Sequence, residues 1–225
     1  MNRLGLNYAV FKKNINNFKK YFNIKMIMSH MVNSEKRSSL NSEQLKFFKN
    51  LKKDFQFSNN TSFSLGNSHA LFLGNSYHFD IIRAGGYIYG LKLSKKIKCK
   101  NVLSLKAKII QIQKVKAGNT IGYGANFTTK RNSSIATLAI GYADGLSRNY
   151  KGYAFYKSKK IKFVGNISMD LSCIDVSNIK NPRVNEWVEI FGDNISIFDF
   201  ALSCETIPYE ISTRIGSRVK RIYHI

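Results

Sequence analysis

Several short stretches carry side chains able to do chemistry. Asn67-Ser68 and Gly85-Gly86 offer a hydroxyl and glycine-exposed backbone N–H groups, donors that suit a phosphate past a strand end. Two glycines after a strand also make an ordinary tight turn. Arg83 closes the apolar run Phe79-Asp80-Ile81-Ile82, where pairing with a local carboxylate is its simplest role. His30 follows Ile24-Lys25-Met26-Ile27-Met28-Ser29, and a lone strand-end histidine serves first as a hydrogen-bond partner. Gly122-Tyr123-Gly124 suggests an exposed ring on a bend, with aromatic packing in a turn as the competing role. Ile140-Gly141-Tyr142-Ala143-Asp144-Gly145 and Val164-Gly165-Asn166-Ile167-Ser168-Met169-Asp170 each leave an apolar run for a turn. None of these stretches identifies an activity by itself.

The elements that must position them alternate in type. Tyr8, Phe11, Ile15, Phe18 and Phe22 recur every three or four residues and predict a helix with one apolar stripe. Ile24 to Met28 alternates as a strand. Asn41 with Gln44 three residues on has the form of a capping box, and Leu45, Phe48 and Leu51 give the next helix its buried face. Ser62 to Leu65 predicts a short strand, Ser68 to Leu73 a brief helix, and Phe79 to Arg83 another strand. Such alternation implies a parallel sheet with crossover helices, whose ligand edge is the C-terminal ends of the strands.

The character changes near Lys92. Val102 to Val115, Ser134 to Ile140, Gly152 to Val164, Leu171 to Val176 and Trp187 to Phe191 predict strands. Ala117-Gly118-Asn119 and Gly192-Asp193-Asn194 punctuate them as turns. A helix is expected from the cap Ser196 to Cys204, and another from Pro208 through Ile215 with Gly216 as its stop. The domain expectation is an α/β part over residues 1–92, a basic linker over 93–100 and a β-rich part over 101–225.

Bulk composition narrows the class. Of 225 residues 44% are hydrophobic and 13% aromatic, enough for a core and against disorder. No apolar run is long enough to span a membrane. The first eight residues lack the layout of a signal peptide, and Cys99, Cys173 and Cys204 show neither metal spacing nor a disulfide framework, so a cytoplasmic protein is expected. Lys and Arg number 36 against 13 Asp and Glu, a net charge of +23. A nucleic-acid partner is one reading. The lysines are spread through every segment beside abundant Asn and Ile, so codon composition is the better reading and no specific nucleic acid is expected.

Taken in order, the blocks resemble alanine racemases. Met1-Asn2-Arg3-Leu4-Gly5, Ser29-His30, Asn67-Ser68, Phe79-Asp80-Ile81-Ile82-Arg83-Ala84-Gly85 and Tyr89-Gly90 are similar to the later barrel strands of that family. The likeness continues through Leu103-Ser104-Leu105-Lys106-Ala107, Gly122-Tyr123-Gly124 and Ile140-Gly141-Tyr142-Ala143-Asp144-Gly145. It ends with Val164-Gly165, Ser168-Met169-Asp170, Ile207-Pro208-Tyr209-Glu210-Ile211 and Arg218-Val219-Lys220-Arg221-Ile222-Tyr223. The resemblance implies the second half of a TIM-type β/α barrel followed by a C-terminal β domain. It implies pyridoxal 5′-phosphate as cofactor, alanine as substrate, D-alanine for peptidoglycan as product and a homodimer as the assembly.

It also implies roles. Tyr123 takes the place of the tyrosine base that the partner subunit's β domain contributes. A free tyrosine ionises near pH 10, so such a base needs cationic or hydrogen-bonded neighbours. His30 and Arg83 match the residues linking that tyrosine to the pyridine ring, with Arg83 facing the ring nitrogen. Ser68, Gly85, Gly86 and Tyr209 match the phosphate cradle. Arg3, Tyr142 and Met169 match positions near the substrate carboxylate and the entrance. Two positions depart from the family pattern: Ala84 stands where a proline is common, and Gly86 replaces a branched aliphatic. Both loosen the loop and spare its N–H donors.

The family's cofactor-bearing lysine, which is also the second base, has no match among these residues. The expectation is therefore a truncated or split racemase, inactive alone and complemented by a separate N-terminal fragment. A non-catalytic remnant and a racemase of serine or another amino acid are the alternatives.

Overall fold

The computed structural model describes residues 1–55, 57–91 and 98–224. The chain forms two compact units, Met1–Ile88 and Tyr89–Ile225. Most of the expected linker over 93–100 lies outside the described residues.

The first unit opens with α1, Tyr8–Tyr21, capped by Asn7, whose side chain accepts the Ala9 N–H at 2.9 Å. Its apolar stripe seats Ile15, 3% exposed, and partly Phe11. Strand β1, Met26–Met28, helix α2, Ser39–Asp54, and strand β2, Ser62–Ser64, follow. The strands are parallel, Met26 beside Ser62 and Met28 beside Ser64, so α2 is the crossover that a parallel pair requires. Phe48 and Leu51 of α2 pack with Met31, Phe63, Leu65 and Ala70, and the Phe48 ring meets Phe63 and Phe79 edge-on.

Three expectations change here. Helix α2 begins earlier, because Ser38 accepts the Leu40 N–H and is the cap. Asn41 is 2% exposed inside the first turn and gives its amide to Lys36 O at 2.6 Å. Gln44 instead spans the β1–α2 connection, accepting from Val32 N and donating to His30 O. The run Phe79–Arg83 is not a strand. Phe79 has φ +52°, the Asp80 and Ile81 N–H groups both reach Phe63 O, and the Asp80 carboxylate accepts Phe63 N. The backbone bends around the end of β2 rather than pleating beside it. Only Arg83 makes a bridge, parallel to Asn67. The expected helix at Ser68–Leu73 is a single 3-10 turn over Ala70–Phe72, with a second over Asn75–Tyr77.

The second unit is a closed six-stranded antiparallel barrel. Its strands are β3 Leu105–Val115, β4 Ser133–Leu138, β5 Tyr153–Tyr156, β6 Lys159–Val164, β7 Ser172–Asp175 and β8 Trp187–Phe191. The order round the barrel is β3-β4-β7-β6-β5-β8, with β8 returning to β3. Closure leaves no open edge. Ile109, Leu138, Ile174, Val188 and Ile190, each 0% exposed, fill the interior. The expected single segment Gly152–Val164 is a hairpin of two strands. Its turn is Lys157-Ser158 at φ 45° and 62°, built without glycine or asparagine, so no turn signal interrupts the alternation. Helices α3, Ile197–Ser203, capped by Ser196, and α4, Pro208–Arg214, complete the unit. Leu146, Tyr150 and Phe200 tie these segments to the barrel core. Among the described residues no helix is long and apolar enough to cross a membrane, no disulfide forms and no metal-ligand cluster occurs.

Candidate active site

In the first unit, β1 and β2 run parallel and end on the same side, so the residues after them converge. The guanidinium of Arg83 lies there. Nη1 donates to Ser64 Oγ at 2.5 Å, and Nη2 donates to Ser29 O at 2.6 Å and to His30 Nδ1 at 3.3 Å. No carboxylate pairs with Arg83 among the described residues. Its simplest expected role is thereby replaced by three neutral acceptors. Partial burial lowers its pKa, and an arginine still keeps its charge in such a setting.

The donor side of these bonds fixes the tautomer of His30. Arg83 has only N–H groups to offer, so Nδ1 accepts and the proton of the neutral ring sits on Nε2. Partial burial, then the charges of Arg83 and Arg3, hold the His30 pKa below its ordinary value. Arg3 thus shares this neighbourhood electrostatically.

Ser64 carried no sequence signal. It is fully buried, and its hydroxyl donates to Ile81 O at 2.7 Å, which turns its lone pairs toward Arg83. Gln44, read from the sequence as half of a capping box, holds the backbone of His30.

Beside this group lies a cluster of donors. Ser68 Oγ, 2% exposed, accepts from Gly85 N at 2.9 Å and Tyr87 N at 3.4 Å, which leaves the hydroxyl proton to donate. Gly86 is buried, yet its N–H reaches no acceptor among the described residues. A Cβ on Gly85 would meet nothing within 4 Å, so backbone is open to an approaching group there. A hydroxyl and a buried, unpaired N–H beside an uncompensated arginine suit an anion and a neutral ring nitrogen.

In the second unit the three clustered motifs share one rim. Gly122 and Gly124, both at φ 75°, swing the chain so that the Tyr123 ring stands 70% exposed. Asn166 Nδ2 donates to Tyr123 O at 3.0 Å. On the same loop, Ser168 O and Met169 O accept the N–H groups of Tyr142 and Ala143, each at 3.0 Å. Gly141 permits that approach, because a Cβ there would stand 2.2 Å from Met169 O. Tyr142 and Met169 are 41% and 54% exposed. Tyr209 lies on the first turn of α4, 37% exposed.

Comparison with known proteins gives this arrangement a family. Residues 1–93 match the alanine racemase N-terminal domain and residues 102–223 the alanine racemase C-terminal domain. The chain is 42% identical to an alanine racemase of Rickettsia bellii over 99% of its own length and 56% of the relative's. It is 41% identical to one of Rickettsia akari, covering 63% of that protein. The chain thus spans little more than half of these relatives' length. Its fold superposes on an alanine racemase of Bartonella henselae with covalently bound pyridoxal phosphate at TM-score 0.92 and 35% identity, covering all of this chain and 64% of that one. The biosynthetic alanine racemase of Pseudomonas aeruginosa also gives 0.92, at 28% identity. The two family matches together span nearly the whole chain, and the chain belongs to the alanine racemase family.

Proposed function

We propose that this chain is the cofactor-cradling and tyrosine-bearing part of an alanine racemase, interconverting L- and D-alanine with pyridoxal 5′-phosphate. The observation that carries the reading is Arg83, held among the described residues by neutral acceptors alone and bonded to His30. Bound there, the cofactor would supply the electron sink for the pair left when the substrate's α-proton is removed. This chain's residues supply orientation and one base. Ser68, Gly85 and Gly86 hold the phosphate. Arg83 would hold the cofactor's ring nitrogen through an N–H it does not surrender, which would keep the ring a weaker electron sink and limit side reactions. Tyr123, its ring exposed on the rim of the second unit, moves the α-proton on one face. Arg3 in the first unit, and Tyr142 and Met169 in the second, are assigned to the substrate carboxylate and the entrance.

Residues 1–92 act as the second half of a TIM-type barrel and 101–225 as the β domain, joined by 93–100. The compact units and the two family matches support this division. Met26 and Met28 on β1, 39% and 58% exposed, support a barrel sheet that takes further chain. In this reading the lysine that anchors the cofactor and serves the opposite face is not one of the residues matched here. The working assembly is a cytoplasmic homodimer in which Tyr123 serves the neighbouring copy's site.

Co-expression with an N-terminal fragment covering the remaining length of a relative tests this. The absorbance band of bound cofactor and racemisation of L-alanine are expected to appear together. A soluble complex that binds no cofactor would sink the reading.

A further inference from the structure

We infer that Arg218 is a positioning residue, setting where Tyr142 and Met169 stand. This rests on the reading of those two residues as the substrate end of the site. Two loops carry them: 141–145, bearing Tyr142, and 165–171, bearing Met169. Backbone bonds from Tyr142 N and Ala143 N already join the loops. Arg218 joins them a second time through side chains. Its Nη2 donates to Asp170 Oδ1 at 2.6 Å, directly after Met169, and its Nε lies 3.3 Å from Asp144 Oδ1, two residues after Tyr142.

The two carboxylates differ in kind. Asp170 is half exposed. The Asp144 side chain is 10% exposed, and its other oxygen accepts Gly141 N at 2.9 Å. A buried carboxylate needs a cation or donors, so Asp144 fixes the guanidinium from the inner side and the outer fork is left to Asp170. The Asp144 carbonyl also accepts Gly216 N, which ties the segment bearing Arg218 to the same turn. One planar fork therefore sets the spacing of two loops. A lysine, a point charge, reaches one carboxylate at a time. The raised pKa of Arg218, caused first by its bond to Asp170, agrees with that geometry.

The test compares wild type, Arg218→Gln, Arg218→Lys and Asp170→Asn by two measurements. In the full chain, hydrogen exchange of the Tyr142 and Ala143 amides is expected to quicken ~10-fold in Arg218→Gln while core amides such as Ile109 and Ile174 hold. Arg218→Lys restores part of the protection. In the cofactor-loaded racemase, KM for L-alanine is expected to rise ~5- to 10-fold with kcat within ~2-fold. Unchanged exchange at the two amides, or equal quickening throughout the barrel, overturns the inference. Quickened amides with unchanged KM overturn the link to substrate. A silent Tyr142→Phe in the same assay would place that failure in the substrate reading rather than in the clamp.

Discussion

Arg83 donates from Nη2 to Nδ1 of His30 at 3.3 Å, so the two residues share one polarity: the arginine gives, the histidine accepts, and the imidazole proton faces away on Nε2. Protonating His30 at Nδ1 breaks that bond and sets two cations together.

The pH dependence of stability follows from this pair. The folded chain disfavours the imidazolium, through partial burial first and then Arg83 and Arg3. Between the lowered folded pKa and the unfolded value of about 6.5, the unfolded chain binds more protons, so stability rises with pH across that window. The contribution is complete above the unfolded value and is lost as pH falls through the folded one. We expect the gap in thermal midpoint between wild type and His30→Gln to narrow on going from pH 7.5 to pH 5. A gap that widens toward acid would place the proton on Nδ1.

Arg83→Lys tests the three-acceptor geometry. A lysine cannot reach Ser64, Ser29 and His30 from one plane, and its ammonium is a poorer partner for a ring nitrogen. Losing one or two charge-assisted bonds of ~1.5–3 kcal/mol each predicts cofactor binding weaker by ~10- to 100-fold or more. Titration of the cofactor absorbance in the complemented assembly measures it. Equal affinity would show that Arg83 does not face the ring.

How legible this site was depends on the kind of signal each residue carried. His30, Arg83 and Ser68 sit where apolar runs end, so period and punctuation located them. The Phe79–Arg83 run misled, because Asp80 caps β2 and Phe79 takes a positive φ, which apolar composition does not reveal. Ser64 was invisible, since a serine inside a three-residue strand is distinguished only by what its hydroxyl meets. Asn41 and Gln44 had the spacing of a cap, yet Ser38 lay one turn earlier and its hydroxyl took the Leu40 N–H. Barrel closure between β8 and β3 joins residues some 80 positions apart in the pairing Ala107–Val188, a relation no local pattern encodes.

Tyr123→Phe separates chemistry from folding. The ring is 70% exposed and its backbone carbonyl, not its hydroxyl, holds Asn166. Stability should change by less than ~0.5 kcal/mol. Racemisation in the complemented assembly should fall by ~10²- to 10⁴-fold, the scale of losing a general base. Measuring both on one preparation is decisive, because a variant that keeps its melting transition and its activity removes Tyr123 from the mechanism.

Gly141 and Gly85 make a matched pair of substitutions with opposite expectations. An alanine Cβ at Gly141 would stand 2.2 Å from Met169 O and 2.5 Å from Asp170 N, both backbone atoms of a loop that Ser168 and Leu171 hold by their own bonds. The loops must part, and the Tyr142 and Ala143 bonds lengthen or break. We expect a loss of ~2–4 kcal/mol, in the range of forced backbone displacement. At Gly85 the same Cβ meets nothing within 4 Å, and its φ is not in the left-handed region, so Gly85→Ala should lie within ~0.5 kcal/mol of wild type. Denaturant titration of the two variants side by side checks both. If Gly141→Ala is as stable as Gly85→Ala, the loop carrying Met169 yields easily, and its approach to the Tyr142 turn is not fixed by packing.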